Sequence, residues 1–245
     1  PRVLLESPRV VGGRDRRAGG TWLAMRGRDA AVAMLNRRPH DVPRSGPPPE
    51  PLSSGGAPLR SRGLLALDAA AAEAARGDDI LRAILARAEA LSAPGPGNRS
   101  PYAPFSLVIA SPAGSWLLTH DGSEPPRTRR VDQGWHVLTH EALDDESEPR
   151  TRWLRRRLAG FAPESPEAAE AFLRGLLALH TGEAGNRSPA VCLHEGRMRT
   201  VSSALVRLAR GEAFYAHAEG RPCTAPYIDY SRLLVEDLPR VEEEA

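Results

Sequence analysis

Apolar positions along the chain fall in short runs set between turn-forming residues, with longer helical stripes between the runs. Leu23-Ala24-Met25 and residues 30–35 are almost wholly apolar and flank Gly27-Arg28-Asp29, which predicts a β-hairpin with Trp22 at its base. Val10-Val11 closes a strand or enters the first glycine turn. Residues 105–110 read as a buried strand and 115–119 as its partner across Pro112-Ala113-Gly114. Residues 134–139 predict another short strand, 190–194 and 202–208 a hairpin, and Phe214-Tyr215-Ala216-His217 a last strand. The period then changes. Residues 64–75 predict a helix, and Ile80, Leu81, Ile84, Leu85 and Ala88 share one face of a second helix that Asp78 would cap. Residues 150–157 predict a helix with Trp153, Leu154 and Leu158 inward and arginines outward. Ser165-Pro166-Glu167 signals the start of a further helix, whose inner stripe is Phe172, Leu173, Leu176 and Leu179.

Strands in hairpins and helices in blocks do not alternate singly, so the pattern argues for an α+β fold with mainly antiparallel sheets and helices outside, against a doubly wound parallel sheet. One domain over residues 1–245 is expected, with a Pro/Gly-rich loop at 40–59 and an acidic tail at 236–245. Formal charge is +2, too balanced for a nucleic-acid protein. All 33 basic residues are arginine, which reads as the bias of a bacterial genome more than as a binding device. No apolar run approaches the ~18 residues a membrane span needs. Two cysteines, Cys192 and Cys223, make no disulfide framework and suit a cytoplasmic location.

The densest signal is Gly12-Gly13-Arg14-Asp15-Arg16-Arg17-Ala18-Gly19-Gly20-Thr21-Trp22. Two glycine pairs predict two tight turns holding Arg14 and Asp15 between them, with Gly19 and Gly20 at positive φ and Trp22 buried. A surface ion pair on an ornate hairpin explains the stretch equally well. Asn36 and Arg37 end the following strand, and Ser61-Arg62-Gly63 sets an arginine at a helix start, where anions are welcome. Thr139-His140 ends a predicted strand.

These pieces recur in order. Gly-Gly-Arg-Asp and Ala-Gly-Gly-Thr-Trp are followed by Asn36-Arg37, Ser61-Arg62-Gly63, Phe105-Ser106-Leu107, Gly134-Trp135-His136-Val137-Leu138-Thr139 and Cys192-Leu193-His194. The series resembles the NRDE family, also called the transport-and-Golgi-organisation protein 2 family. The resemblance implies the four-layer αββα sandwich of the N-terminal-nucleophile hydrolases. It implies an N-terminal cysteine and an Asn-Arg-Asp-Glu motif as well. Neither is present in a chain that opens on Pro1, so the start of the family pattern is expected to lie upstream. An apolar groove beside Val32, Met34, Leu107 and Ile109 would then mark the absent strand.

Pro1 has no side-chain nucleophile, and Val201 stands where the related amidases carry an arginine near the site. His140 stands where they carry an asparagine that would be a candidate oxyanion donor. The expectation is therefore a binding protein for a small amphipathic ligand, with acyl-CoA, lipid or haem as the classes the resemblance implies. Its candidate ligand-binding residues are Arg14, Asp15, Asn36, Arg37, Arg62, His140 and Cys192. An N-terminal cysteine amidohydrolase of linear amides is the alternative, if the upstream segment supplies the nucleophile, and an interaction domain using the arginine-rich helix is a third. No cofactor is expected. Cys192 and His194 would share a face on a strand and suit a metal pair, but no third and fourth ligand accompanies them at convincing spacing; Cys223 and His217 are unanchored. A buried thiol is the plainer account of Cys192, and no metal site is expected.

Overall fold

A computed structural model describes residues 1–39, 59–74, 78–95, 100–180, 190–194 and 199–235. The Pro/Gly-rich loop from 40 to 58, the side chain of Asp78 and the acidic tail lie outside the described residues. The fold is α+β with antiparallel sheets, and the chain divides into two compact units. One comprises Pro1–Asp132, Leu208–Ala213 and Ser231–Ala245, the other Gln133–Arg207 and Phe214–Tyr230.

The first unit holds a seven-stranded meander in sequence order. Its strands are β1 (Arg2–Leu5), β2 (Val10–Gly12), β3 (Leu23–Arg26), β4 (Ala30–Asn36), β5 (Phe105–Ser111), β6 (Gly114–His120) and β7 (Arg127–Val131), each antiparallel to the next. The two hairpins predicted within residues 23–35 and 105–119 are present, and β7 has no sequence signal because Arg127-Thr128-Arg129-Arg130-Val131 has no apolar face. Helices α1 (Arg62–Ala70) and α2 (Asp78–Ser92) cover one face of the sheet. Ile80, Leu81, Ile84 and Ala88 on α2, with Leu65, Ala66 and Ala69 on α1, bury against Val32, Met34, Phe105, Leu107 and Ile109. Alanine on α1 lets the helix lie close to the sheet. The four residues expected to line an open groove are thus all buried, because α1 and α2 cover them.

The glycine loop is fastened to the start of α1. Thr21 N–H donates to the Gly63 carbonyl at 2.9 Å, and Gly20 lies so close to Gly63 that a Cβ on Gly20 would overlap the Gly63 peptide. Gly19 has φ +78°, as expected, but Gly20 is not at positive φ. Gly20 is needed for close backbone approach and not for a left-handed turn. Trp22 is corrected too: it is 42% exposed. Thr21 takes the inward position, fully buried, with Oγ1 donating to the Leu23 carbonyl at 2.8 Å, and the next side chain turns outward.

The second unit packs α3 (Pro149–Leu158) on α4 (Pro166–Ala178) through Val137, Leu158 and Leu176, with Trp153, Leu154, Phe172, Leu173 and Leu179 around them. Glu148 caps α3 by accepting from Thr151 N–H, and Ser165 caps α4 by accepting from Ala168 N–H at 3.1 Å. A three-stranded antiparallel sheet is built from β8 (Ser202–Ala209), β9 (Glu212–Glu219) and β10 (Ile228–Asp229), with β9 central. The partner of β8 is β9, not residues 190–194, which form no strand. Residues 134–139 form none either, because Asp144 captures the chain there. Its carboxylate accepts from Val137 N–H at 2.8 Å, and its own N–H donates to the Val137 carbonyl at 2.9 Å. No helix among the described residues is long and apolar enough to cross a membrane.

The Gly20–Gly63 contact generates a paired prediction. Gly20→Ala should lower stability by about 3 kcal/mol or more, since both colliding groups are backbone and neither yields cheaply. Gly13→Ala, where an added Cβ meets nothing within 4 Å, should stay within about 1 kcal/mol of the parent. Urea unfolding of the two variants compares them directly, and equal midpoints would remove the contact from its organising role.

Candidate functional site

The candidate residues of the first unit gather around the loop and the start of α1. Asp15 organises the loop internally: its Oδ1 accepts from Arg17 N–H at 2.8 Å and Ala18 N–H at 3.2 Å, while its N–H donates to the Gly20 carbonyl at 2.8 Å. That is the work of an aspartate in a turn, and Asp15 makes no ion pair with Arg14. Arg14 is exposed and forms no ion pair among the described residues. Asn36 is exposed at the end of β4, paired in register with Phe105.

Arg37 and Arg62 meet at one carbonyl. Arg37 N–H donates to the Pro104 oxygen at 3.2 Å, and Arg62 Nη1 donates to the same oxygen at 2.9 Å. The two cations differ in their surroundings. Arg37 stands near Asp121, and its charge is one of the influences that hold the Asp121 carboxyl below its ordinary range. Arg62 is half-buried, and its hydrogen bond among the described residues is to a neutral oxygen. Burial alone pushes its guanidinium pKa down, and no carboxylate pairs with it among the described residues. Two of the exposed large apolar side chains, Trp22 and Leu59, lie on the segments that meet here. Trp22 follows Thr21, which is bonded to Gly63, and Leu59 lies just ahead of Ser61.

In the second unit His140 is exposed, its Nε2 3.3 Å from Glu141. Its neighbours form a charge network. His136 Nδ1 is 2.6 Å from Asp144, and Arg155 on α3 is 2.7 Å from Asp144 and 3.1 Å from Glu146. The acidic stretch upstream of α3 thus neutralises one of its arginines within the unit.

The densest cluster of chemistry-bearing side chains gathers three distant segments. α4 ends at Leu179, whose carbonyl accepts from Val191 N–H at 3.0 Å and Cys192 N–H at 2.9 Å. That pair of bonds folds residues 191–192 back beside His180. Leu193 is held by Thr200: its N–H donates to Thr200 Oγ1 at 2.9 Å and its carbonyl accepts from Thr200 N–H at 3.0 Å. After β9, the Arg221 carbonyl accepts from Thr224 N–H at 3.0 Å and Ala225 N–H at 2.8 Å, a tight turn that presents Cys223. The result places one ligand atom from each of His180, Cys192, His194 and Cys223 within 4.8 Å of all the others. Cys192 Sγ is 3.6 Å from Cys223 Sγ, which is 3.1 Å from His194 Nε2, and the two imidazoles meet edge to face at 4.2 Å. Both cysteines are free, and Cys192 is buried. Burial, reinforced by the hydrogen bond to Cys223, pushes the Cys192 thiol pKa up.

The first unit therefore brings Arg37 and Arg62 together, with the Arg14–Asp15 loop fastened beside Gly63, and the second surrounds Cys192 with partners that sequence reasoning did not assemble. Cys192 and His194 were legible as a pair. Cys223 was paired in prospect with His217, which instead lies edge-on to Tyr230. His180 carries no local motif; only the fold of the chain beyond α4 gives it a role.

These features define an α+β protein of antiparallel sheets with helices mostly outside, carrying a half-buried arginine that pairs with no carboxylate among the described residues, and a separate thiol–imidazole cluster. The sequence model of the family described as Transport and Golgi organisation 2 matches residues 2–216, and the chain belongs to that family. The matched stretch includes His180, Cys192 and His194 and stops short of Cys223. No curated protein sequence matches the chain.

The Asp144 network makes stability depend on acid. Burial pushes the Asp144 carboxyl up, but hydrogen bonds from His136, Val137 N–H and Arg155 outweigh it and hold the pKa below its ordinary 3.8. A depressed folded pKa means that this stabilisation is complete above the unfolded value and is lost as pH falls through the folded one. Unfolding midpoints should therefore drop as pH is lowered below 3.8. Asp144→Asn keeps an acceptor for Val137 and tolerates the local φ of +60°, so it should flatten that slope. Asp144→Ala should cost roughly 1–3 kcal/mol at neutral pH. An unchanged acid slope in the asparagine variant would assign the effect to other carboxylates.

Proposed function

We propose that this family member binds a small amphipathic anion, an acyl group, lipid or haem, at the glycine loop and the start of α1. The observation that carries the reading is Arg62: a half-buried, desolvated cation whose hydrogen bond among the described residues is to a neutral carbonyl. A partly buried charge lacking a counter-ion is costly, and a bound carboxylate or phosphate relieves that cost. Arginine suits the task because its forked donors match either group. Trp22 and Leu59 supply exposed apolar surface on the two flanking segments, which suits the hydrocarbon part of such a ligand. Arg14, Asp15, Asn36 and Arg37 complete the proposed polar rim. His140 and Cys192 are not used in this reading.

Two antiparallel sheets, the larger carrying a helical layer, are the components of the αββα sandwich that the family resemblance implies. Two free thiols support a cytoplasmic setting. The amidohydrolase and interaction-domain readings enter only as outcomes of the experiment.

The experiment is a titration of the full chain with acyl-coenzyme A, free fatty acid and haem, followed by tryptophan fluorescence. Saturable quenching is expected, with Kd raised about 10- to 100-fold in Arg62→Ala, as loss of a charge-assisted hydrogen bond predicts. Trp22→Phe should remove most of the signal while leaving binding intact by calorimetry. Binding unaffected by Arg62→Ala would relocate the site. Turnover of a linear amide would replace this reading with the hydrolase.

A further inference from the structure

We propose that His180, Cys192, His194 and Cys223 form a tetrahedral zinc(II) site. It goes beyond the ligand-binding reading and is independent of it. All four donor atoms lie within 4.8 Å of one another, and two of their separations can be set against the edges of a coordination tetrahedron. Bonds of ~2.3 Å to sulfur and ~2.0–2.1 Å to nitrogen, at tetrahedral angles, separate two thiolates by about 3.8 Å and a thiolate from an imidazole by about 3.6 Å. The observed separations are 3.6 Å for the two sulfurs and 3.1 Å for Cys223 Sγ to His194 Nε2. Two thiolates and two imidazoles are the soft and borderline donors that select zinc over the hard cations. Four protein ligands leave no open position, so the site is structural and not catalytic.

The other accounts of the cluster fit less well. The sulfurs, 3.6 Å apart, are not joined as a disulfide, whose bond is about 2.05 Å. A Cys223–His194 nucleophile pair requires a group that accepts from the outer imidazole nitrogen and orients the ring. Arg221, which only donates, stands 3.5 Å from His194 Nδ1 and does not serve as that group. With zinc on Nε2, Nδ1 carries the proton, and Arg221 is the side chain that must turn aside. A sealed core thiol does not explain why a second thiol and two imidazoles converge on it from three segments.

Zinc would serve this unit as a staple. Its helical cluster buries only Val137, Leu158 and Leu176 fully among the described residues. A metal joining the end of α4, residues 192–194 and the turn after β9 supplies the cross-link that a small core lacks.

The test uses the full chain, expressed with added zinc, purified under reducing agent and passed through a desalting column. Elemental analysis should find one zinc per chain, with both thiols slow to react with a disulfide reagent until a chelator is added. Exchange with cobalt(II) should give the intense visible bands of a tetrahedral site and a thiolate charge-transfer band. Cys223→Ser should reduce retained zinc to about a tenth or less. Cys223→His keeps four ligands and should retain zinc with a weaker charge-transfer band. If the serine variant fails to fold, the cobalt spectrum of the parent still decides. Metal-free protein after zinc addition, a weak octahedral cobalt spectrum, or thiols indifferent to chelator would each overturn the site. Fatty-acid or haem titrations read a different part of the chain, so either proposal can fail alone.

Discussion

Two glycines from distant parts of the chain touch, and much of the first unit follows. Gly20 and Gly63 have no Cβ, so the loop backbone lies directly on the first turn of α1. The register of that contact fixes where β3 starts, sends Thr21 inward and Trp22 outward, and sets the pitch of α1 across the sheet. It also decides where Arg62 emerges, immediately before Gly63 on a helix turn that cannot shift. The Pro104 carbonyl, which accepts from Arg62 Nη1 at 2.9 Å, then holds the guanidinium on that turn.

The second unit is organised by different means. Where the first relies on a continuous sheet and absent side chains, the second relies on acceptors that gather loose backbone. The Leu179 carbonyl takes two N–H groups from the returning chain, and the Asp144 carboxylate takes one from Val137 together with the side chains of His136 and Arg155. Such acceptors position segments without regular secondary structure, which is how His180, Cys192 and Cys223 come to share a small volume. A staple at that point would convert three hydrogen-bonded loops into one rigid corner.

Most of the hairpins and helices were legible because their apolar spacing is plain: the runs at 23–25, 30–35 and 105–110, and the stripe from Ile80 to Ala88. The failures have physical causes. Residues 134–139 alternate like a strand, yet one aspartate eight residues after His136 offers a better partner than any neighbouring strand. Residues 190–194 look apolar enough to pair with β8, but their backbone bonds elsewhere: Val191 and Cys192 N–H donate to the Leu179 carbonyl, and Leu193 pairs with Thr200. Trp22 was expected inside on size alone; a buried hydroxyl one residue earlier settles which side faces inward. The importance of Gly20 was readable, though not its reason, since close approach to Gly63 leaves no local sign. Cys192 and His194 were visible as a pair; His180 and Cys223 depended on chain reversals that spacing does not encode.

The last strand of the large sheet, β7, carries Arg127, Arg129 and Arg130 on a backbone whose outer edge pairs with no further strand among the described residues. A sheet of seven strands in simple order is an open template, and a second copy could add to it edge to edge. Three guanidinium groups along that margin make such growth place like charges opposite each other, which is unfavourable. Like charge along this margin therefore opposes the sheet's growth. Its termination is sensitive to the medium: ions that screen arginine, or polyanions that bridge two such margins, would weaken the barrier to sheet-on-sheet polymerisation without altering a single contact inside the fold.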